Sequence, residues 1–459
     1  MPDHFKPLDR DTMFLLPPSI QEWLPEKHLA RFVVDIVARL DVNPIRSRYS
    51  GRGSEAYQPE MMVALLFYGY ATGTFSSRKL ERATYDSVAF RYITANQNPE
   101  HDTISDFRRR FLPQLQAYFE QILLIAAESG LLKVGRVSVD GTKIKANASK
   151  HHALSYGHAT KLERRIKGEV ERLLRLAEKA DGSEVPDGLD IPAELARRED
   201  RLRVISEAKA RIHARERERI AAERAAYQQK LAERKEREEE TGKKTRGSKP
   251  KPPSRAIDPK AQINLSDDES RIMPSSEGMV QAYNAQGSVD CDSRLMLTAD
   301  ASPRPTDRTL LLSTIEACQK LPPSIGAVTE LLADAGYFSA SNVEACHAAQ
   351  MVPYIASGRE SHAGGLRRFY EPAERKANAS AVECMKHRLR TKAGRAIYGE
   401  RKSTIEPTFG IIKSVMGFRQ FSLRGYEKIK AEWRIVAIAY NPKRMFRIVE
   451  LKTTMGLSL

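Results

Sequence analysis

Three acidic residues stand out because each lies where a chain often presents a side chain for chemistry. Asp140 follows the alternating strand pattern RVSV, Asp334 follows the apolar run VTELLA, and Glu406 lies in the first turn of a helix predicted over 402–417. Carboxylates at strand ends meet at one edge of a sheet, the usual place for a site in an α/β fold. Since no His or Cys accompanies them, the three acids suit hard cations such as Mg²⁺ or Mn²⁺.

A pair of such ions about 4 Å apart could carry out phosphodiester chemistry. One ion activates a water or a 3′-hydroxyl, and the other stabilises the leaving oxygen. The formal net charge of the chain is +16, which favours a polyanionic partner. A basic protein with a compact acidic centre can hold a nucleic acid by its flanks and bring metal to one phosphate.

Each of the three acids also has an ordinary structural explanation. Asp140 precedes Gly141, and Asp-Gly is a turn signal. Asp334-Ala-Gly is an acceptable turn from strand to loop. Ser403-Thr-Ile-Glu406 fits the S-x-x-E capping box, in which Glu406 would cap its own helix. Glutamine can serve in a capping box but cannot replace a metal-binding carboxylate, so Glu406→Gln separates the two hypotheses.

Other acidic residues compete for the same roles. Asp267-Asp268-Glu269 spells D-D-E, but adjacent residues on a strand point to opposite faces and cannot converge on one metal pair. A solvated turn is the simpler interpretation of that triplet. Four further acids are rivals for the second position, and turn or cap roles explain them: Asp290, Asp292, Asp300 and Asp307.

Basic residues are dense around the first and third acids. Lys413 lies seven residues after Glu406, two helical turns away on the same face. A helix with a carboxylate and a lysine on one stripe could hold metal and contact a nearby phosphate, whereas a solvated basic face explains any one of these residues alone. The candidates for phosphate contact are Lys143, Lys145, Arg401, Lys402, Lys413, Arg419 and Arg424.

The elements that must position these residues fall into three parts. Residues 1–130 predict several short helices, one carrying the cluster RRR at 108–110, and form either a DNA-binding or dimerisation domain or a plain helical packing domain. Residues 131–459 predict a catalytic α/β domain. Its order of one strand, an insertion, two strands, helix, strand, helix, strand and helix indicates a mixed sheet.

A charged insertion over 150–262 interrupts this domain. Apolar residues at helical spacing, such as Ile166 and Ile212, predict an antiparallel helical hairpin or coiled coil. Such a hairpin is either a spacer or an arm for dimerisation or DNA clamping. Turn formers over 181–192 and a basic linker over 241–255 complete the segment.

Cellular location is indicated by what the sequence lacks. The four cysteines form no C-x-x-C pair and are typical of reduced thiols in a cytosolic protein. No signal peptide and no uninterrupted run of 18 apolar residues is evident. We therefore expect a cytoplasmic protein without a membrane span.

Three segments together resemble the acidic blocks of DDE transposases from bacterial insertion sequences: VDGTKIKANAS, LLADAGYFS and RKSTIEPTFGIIKSVMGFRQFSLRG. The stretches PLDRDTMFLLPPSIQEWLPEKHLARFVVDIV and HDTISDFRRRF resemble the helical domain of the group with a long charged insert after the first block. The resemblance implies an RNase H-like core with a mixed five-stranded sheet flanked by helices. It also implies that Asp140, Asp334 and Glu406 are the catalytic acids and bind two Mg²⁺ (or Mn²⁺) ions.

The same resemblance implies a nucleoid-associated enzyme that cleaves DNA at the terminal inverted repeats of its element and transfers strands to target DNA as a homodimer. Related transposases carry the signature Y-x2-R-x3-E-x6-K, for which Tyr398, Arg401, Glu406 and Lys413 are candidates. Four residues separate Arg401 from Glu406, whereas Lys402 has the family spacing of three, so either base could take the Arg role. A catalytically inactive DNA-binding or scaffolding relative and a nuclease of the same fold are the alternatives.

Overall fold

The computed structural model describes residues 19–49, 55–179, 189–241, 250–254, 256–358, 370–374 and 378–455. The predicted turn at 181–192 and basic linker at 241–255 lie largely outside these residues. The described chain divides into two compact units. One unit contains the residues up to Ile144 and those from Tyr283 onward, and the other contains Lys145–Ala282.

The first unit begins with a helical region, as the sequence predicts. Its helices are α1 (Ile20–Trp23), α2 (Leu29–Ala38), α3 (Asn43–Arg46), α4 (Pro59–Ala71), α5 (Ser77–Asp86), α6 (Val88–Ile93), α7 (His101–Arg110) and α8 (Leu112–Glu128). The apolar run of α4 is buried on all sides. Pro113 lies in the first turn of α8, where its missing N–H costs no hydrogen bond, and therefore marks the break after α7.

A mixed sheet forms the centre of the fold. The strands of the described residues are, in chain order, β1 (Val134–Lys145), β2 (Ala153–Ser155), β3 (Gln262–Asn264), β4 (Arg271–Ser275), β5 (Gly278–Asp290), β6 (Met296–Ser302), β7 (Gly326–Ala333) and β8 (Val352–Ile355). All of them belong to this sheet except β2 and β3, which pair with each other in a separate two-stranded sheet. The strand order is β6-β5-β1-β7-β8, with β1, β7 and β8 parallel to one another and β5 antiparallel to β6. This is the predicted RNase H-like arrangement. It has six strands rather than five, because β4 pairs with residues 278–282 of β5.

Helices flank this sheet: α11 (Leu311–Gln319), α12 (Ala340–Ala348), α13 (Ala381–Arg390), α14 (Lys392–Gly410) and α15 (Tyr426–Thr454). The predicted apolar face of the last helix is confirmed, since Trp433, Val436 and Tyr440 are buried. The helix predicted over 402–417 instead begins at Lys392, where the Thr391 side chain accepts a hydrogen bond from Gly394 N. It changes to a π-helix at Ile411–Val415.

The second unit contains the predicted helical hairpin, formed by α9 (Tyr156–Lys179) and α10 (Ile191–Thr241). Ile166 of α9 and Ile212 of α10 belong to one apolar cluster. Lys209 Nζ lies 2.6 Å from Glu163 Oε2 across the pair. No helix among the described residues is both long enough and apolar enough to cross a membrane.

Candidate active site

Asp140 lies within β1 rather than at its end. The strand continues to Lys145, so the predicted turn at Asp140-Gly141 is wrong. Gly141 is needed for space instead, because a Cβ at this position would overlap Gln286 Nε2 and lie 2.7 Å from Asn284 Oδ1. Pairing in the sheet therefore overrides the local turn signal.

Asp334 follows β7 directly, as predicted. Val139 of β1 pairs with Ala333 of β7 in parallel register, so the next residue on each strand is an aspartate, Asp140 and Asp334. The Asp334 Oδ1 accepts a hydrogen bond from Gly336 N at 2.8 Å and caps a short 3-10 helix. The turn role therefore coexists with a position at the end of the strand.

The side chain of Glu406 joins this centre through a guanidinium. Arg401 Nη2 lies 3.0 Å from Glu406 Oε1, and Arg401 Nη1 lies 3.2 Å from Asp140 Oδ2. The Arg401 side chain is 14% exposed and that of Glu406 is 49% exposed. The capping-box alternative is wrong, because Ser403 and Glu406 lie in the interior of α14 and the Ser403 Oγ donates to Glu400 O.

The charges of this centre act on one another. The pKa of Asp140 is raised to about 6, chiefly by burial and also by the negative charges of Asp334 and Asp307, while the Gly141 N–H and the Arg401 charge oppose this change. The direction fits a carboxylate that is removed from water and placed among other carboxylates. A carboxyl with a perturbed pKa beside other carboxylates is typical of a functional site.

The two lysines after Asp140 both face carboxylates. The Lys143 Nζ lies 3.6 Å from Asp307 Oδ1, and its side chain is 16% exposed. Burial lowers the pKa of Lys143, whereas the charge of Asp307 opposes this effect. Lys145 is half-exposed, and its Nζ lies 2.6 Å from Glu277 Oε2.

The candidates on and after α14 lie in different environments. Tyr398 lies about one turn before Arg401; burial raises its pKa, and the Arg401 charge lowers it. Arg401 and Lys402 are the two candidates for the Arg position of the signature. Arg401 contacts both Asp140 and Glu406, whereas the Lys402 side chain is exposed. Lys413 lies in the π-helix, so the face predicted for a continuous α-helix does not extend to it unchanged. Arg419 and Arg424 are exposed in the loop that follows.

The arginine cluster at 108–110 is engaged within the protein. Arg108 Nη1 donates to Tyr70 Oη at 3.2 Å and to Phe75 O at 3.1 Å. Arg110 Nη2 donates to Arg48 O at 2.8 Å. These contacts favour the packing interpretation for Arg108 and Arg110.

Asp307 is the residue near the site that the sequence interpretation dismissed as a cap or turn. Its Oδ1 accepts hydrogen bonds from Asn284 Nδ2 at 2.6 Å and from Gln286 Nε2 at 2.9 Å. The sequence AYNAQG contained a signal for this contact, because its Asn and Gln alternate on a strand whose other residues are mostly small and apolar. Two amides on one face of such a strand predict a buried polar partner. Two of the other rivals have structural partners: Asp290 accepts from Ser293 N at 2.8 Å, and Asp300 pairs with Lys430 at 3.6 Å.

The carboxylates of Asp140, Asp334 and Glu406 are the type of ligand that a hard cation prefers. Carboxylate oxygens are the ligands that Mg²⁺ and Mn²⁺ prefer, and Asp140 and Glu406 already attract a cationic group, the Arg401 guanidinium. Among the described residues, no three His, Cys, Asp or Glu side chains are close enough to hold one ion. The Arg401 guanidinium lies between Asp140 and Glu406, with one terminal nitrogen on each carboxylate.

Comparisons with known proteins give two family matches. Residues 18–110 match a family described as "Transposase domain (DUF772)". Residues 266–441, which include Asp334 and Glu406, match a family described as "Transposase DDE domain". No curated protein and no solved structure matches the chain.

Proposed function

We propose that the chain, a DDE transposase of the insertion-sequence type, binds the terminal inverted repeats of its element, cleaves the ends and transfers the strands to target DNA. The observation that carries this proposal is the convergence of Asp140 and Glu406 on the Arg401 guanidinium, with Asp334 directly after the strand paired with β1.

Asp140, Asp334 and Glu406 would hold two Mg²⁺ or Mn²⁺ ions. The ions supply Lewis acidity and an activated water or 3′-hydroxyl for in-line attack on a phosphodiester. The residues of the chain provide the rest: the sheet fixes Asp140 and Asp334 side by side, and α14 brings Glu406 to them. The Arg401 guanidinium would exchange its carboxylate partners for a DNA phosphate, since its planar fork of N–H groups can donate to two oxygens of either group.

The exposed basic residues would hold DNA outside this centre. Lys402, Arg419 and Arg424 are exposed on α14 and the loop after it, close in sequence to Glu406. Further contacts to the phosphate backbone of the DNA would come from Lys145, Tyr398 and Lys413. Because phosphate contacts release counterions, DNA affinity should fall steeply with salt.

The organisation of the chain supports the same proposal. The helical region over 1–130 would bind DNA or a second copy, residues 131–459 would form the catalytic domain, and the insertion over 150–262 would separate its first strand from the rest. Two DNA ends must be joined in one reaction, so the active form would be a homodimer on DNA. We place this reaction at the nucleoid in the bacterial cytoplasm.

Cleavage of a labelled element end tests the proposal. Wild-type protein should cut the duplex in Mg²⁺ and not in EDTA. Asp140→Asn and Glu406→Gln should fold, bind the end and fail to cut, since one charge of the acid set is lost in each. Ser403→Ala is the matched control on α14 and should cut at the wild-type rate.

The outcomes separate the alternatives. Binding without metal-dependent cleavage would favour a scaffolding relative, and cleavage without joining to a target duplex would favour a nuclease. Cleavage that persists in Glu406→Gln would contradict the assignment of the third acid.

A further inference from the structure

The carboxylate of Asp307 is held by three groups. Asn284 Nδ2 and Gln286 Nε2 donate to its Oδ1, and Lys143 Nζ lies 3.6 Å from the same oxygen. Asn284 is fully buried and Gln286 nearly so, which gives the two amides fixed positions. A carboxylate with two rigid donors on one oxygen has a defined place and orientation.

The other oxygen of Asp307 is directed towards the turn after Asp334. A Cβ on Gly336 would lie 3.6 Å from Asp307 Oδ2 and 3.0 Å from Asp334 Oδ1, so one small space adjoins both carboxylates. The same turn is tied to the amides, because the Tyr337 hydroxyl donates to Gln286 Oε1. Asp307 is therefore part of the frame that surrounds the second acid.

Lys143 requires such a partner. Its side chain is largely buried, and a buried ammonium is costly unless it is paired. The negative charges of Asp307, Asp140 and Asp334 all act on this ammonium. Without Asp307, the ammonium would be drawn to the two remaining aspartates, since opposite charges attract strongly where water is scarce.

We propose that Asp307 is a positioning residue: it holds the Lys143 ammonium beside Asp140 and Asp334 but off them. Those two carboxylates are thereby left for metal, and the ammonium is left to meet the phosphate next to them. The inference rests on the proposed function. It assigns to Asp307 a role that neither the cap nor the turn interpretation contains.

The Mg²⁺ requirement for cleavage tests this role. Asp307→Asn keeps an oxygen acceptor for both amides and removes only the charge. We expect it to raise the Mg²⁺ concentration for half-maximal single-turnover cleavage about tenfold, because Lys143 then competes for Asp140 and Asp334. Adding Lys143→Gln removes the competitor and should return the requirement to within about twofold of Lys143→Gln alone, as expected for residues that act as a unit.

The control is a second Asp–Lys pair outside the site. Asp300 Oδ1 lies 3.6 Å from Lys430 Nζ, the same separation as in the Asp307 pair, so Asp300→Asn should leave the Mg²⁺ requirement unchanged. DNA binding in EDTA should be unchanged in Asp307→Asn.

Two results would overturn the inference: a wild-type requirement in Asp307→Asn, or a raised requirement that persists in the double variant. If wild type cleaves and either result occurs, only the role of Asp307 fails. If wild type does not cleave in Mg²⁺, the proposed function fails and the inference with it.

Discussion

Arg401 and Asp140 lie 261 positions apart in the sequence, yet Arg401 Nη1 is 3.2 Å from Asp140 Oδ2. The other terminal nitrogen of the same guanidinium contacts Glu406, five residues further along α14. One cation thus links a central strand of the sheet to the helix that carries the third acid. Its Nε is buried, and no hydrogen-bond partner for it is found in the part of the chain that the structure describes.

Arg401→Met should lower both stability and cleavage, because it leaves the largely buried Asp140 carboxylate without its partner. The expected loss is about 3 kcal/mol in the free energy of unfolding and at least about 100-fold in cleavage rate. Urea unfolding and single-turnover cleavage measure the two effects. Lys402→Met is the matched control and should change stability by less than about 0.5 kcal/mol. An equal loss of cleavage in both variants would mean that Lys402 shares the Arg role.

Gly141→Ala should destabilise the fold, since the added Cβ would overlap Gln286 Nε2 and crowd Asn284 and Asp307. Overpacking of this kind costs about 1–3 kcal/mol. Gly135 lies on the same strand, and no described residue other than its two chain neighbours has an atom within 4 Å of its Cβ position, so Gly135→Ala is the control. Thermal unfolding of both variants measures the difference, and equal melting temperatures would contradict the close approach.

The Asp140 carboxyl should make the metal-free protein less stable as pH rises from about 4 to about 6. Its pKa is about 6 in the folded state against an ordinary value of 3.8. The folded state therefore binds more protons in this window, and stability falls with rising pH. The effect is on the order of 2–3 kcal/mol. Urea unfolding between pH 4 and 7 should show this slope in wild type relative to Asp140→Asn, and parallel curves would refute it.

Ile212→Ala should loosen the helical hairpin of the second unit without unfolding the first. Ile212 is 1% exposed in the apolar cluster of α9 and α10, where truncation costs about 2–5 kcal/mol. Ile220→Ala, at a half-buried position on the same helix, should cost less. Hydrogen exchange should rise in α9 and α10 and stay unchanged in β1 and β7; a rise throughout the chain would contradict independent stability of the two units.

Sequence patterns predicted the elements that depend on long, regular periodicity. Hydrophobic spacing reflects burial directly, and it predicted three features: the helical region, the hairpin with Ile166 and Ile212, and the apolar face of α15. The strand end at Asp334 was also predictable, because a buried strand followed by a small polar turn leaves little choice.

Local signals failed where distant residues decide the outcome. Asp140-Gly141 reads as a turn, but pairing with neighbouring strands extends β1 through it. Ser403 and Glu406 read as a cap because glycines upstream hide the true start of α14 at Lys392. Asp307 reads as a cap because its partners, two amides on β5, are more than 20 residues away. Sequence spacing cannot reveal such contacts.

The two ends of the second unit meet. Close to where the chain enters this unit, Ala146 N donates to Gln281 O at 2.9 Å, next to the point where the chain leaves it. Because the two ends of the insertion are joined by this hydrogen bond, the insertion does not have to bridge a distance between them. The length of the insertion can therefore change without moving its two ends apart, because closing a longer loop costs little additional free energy.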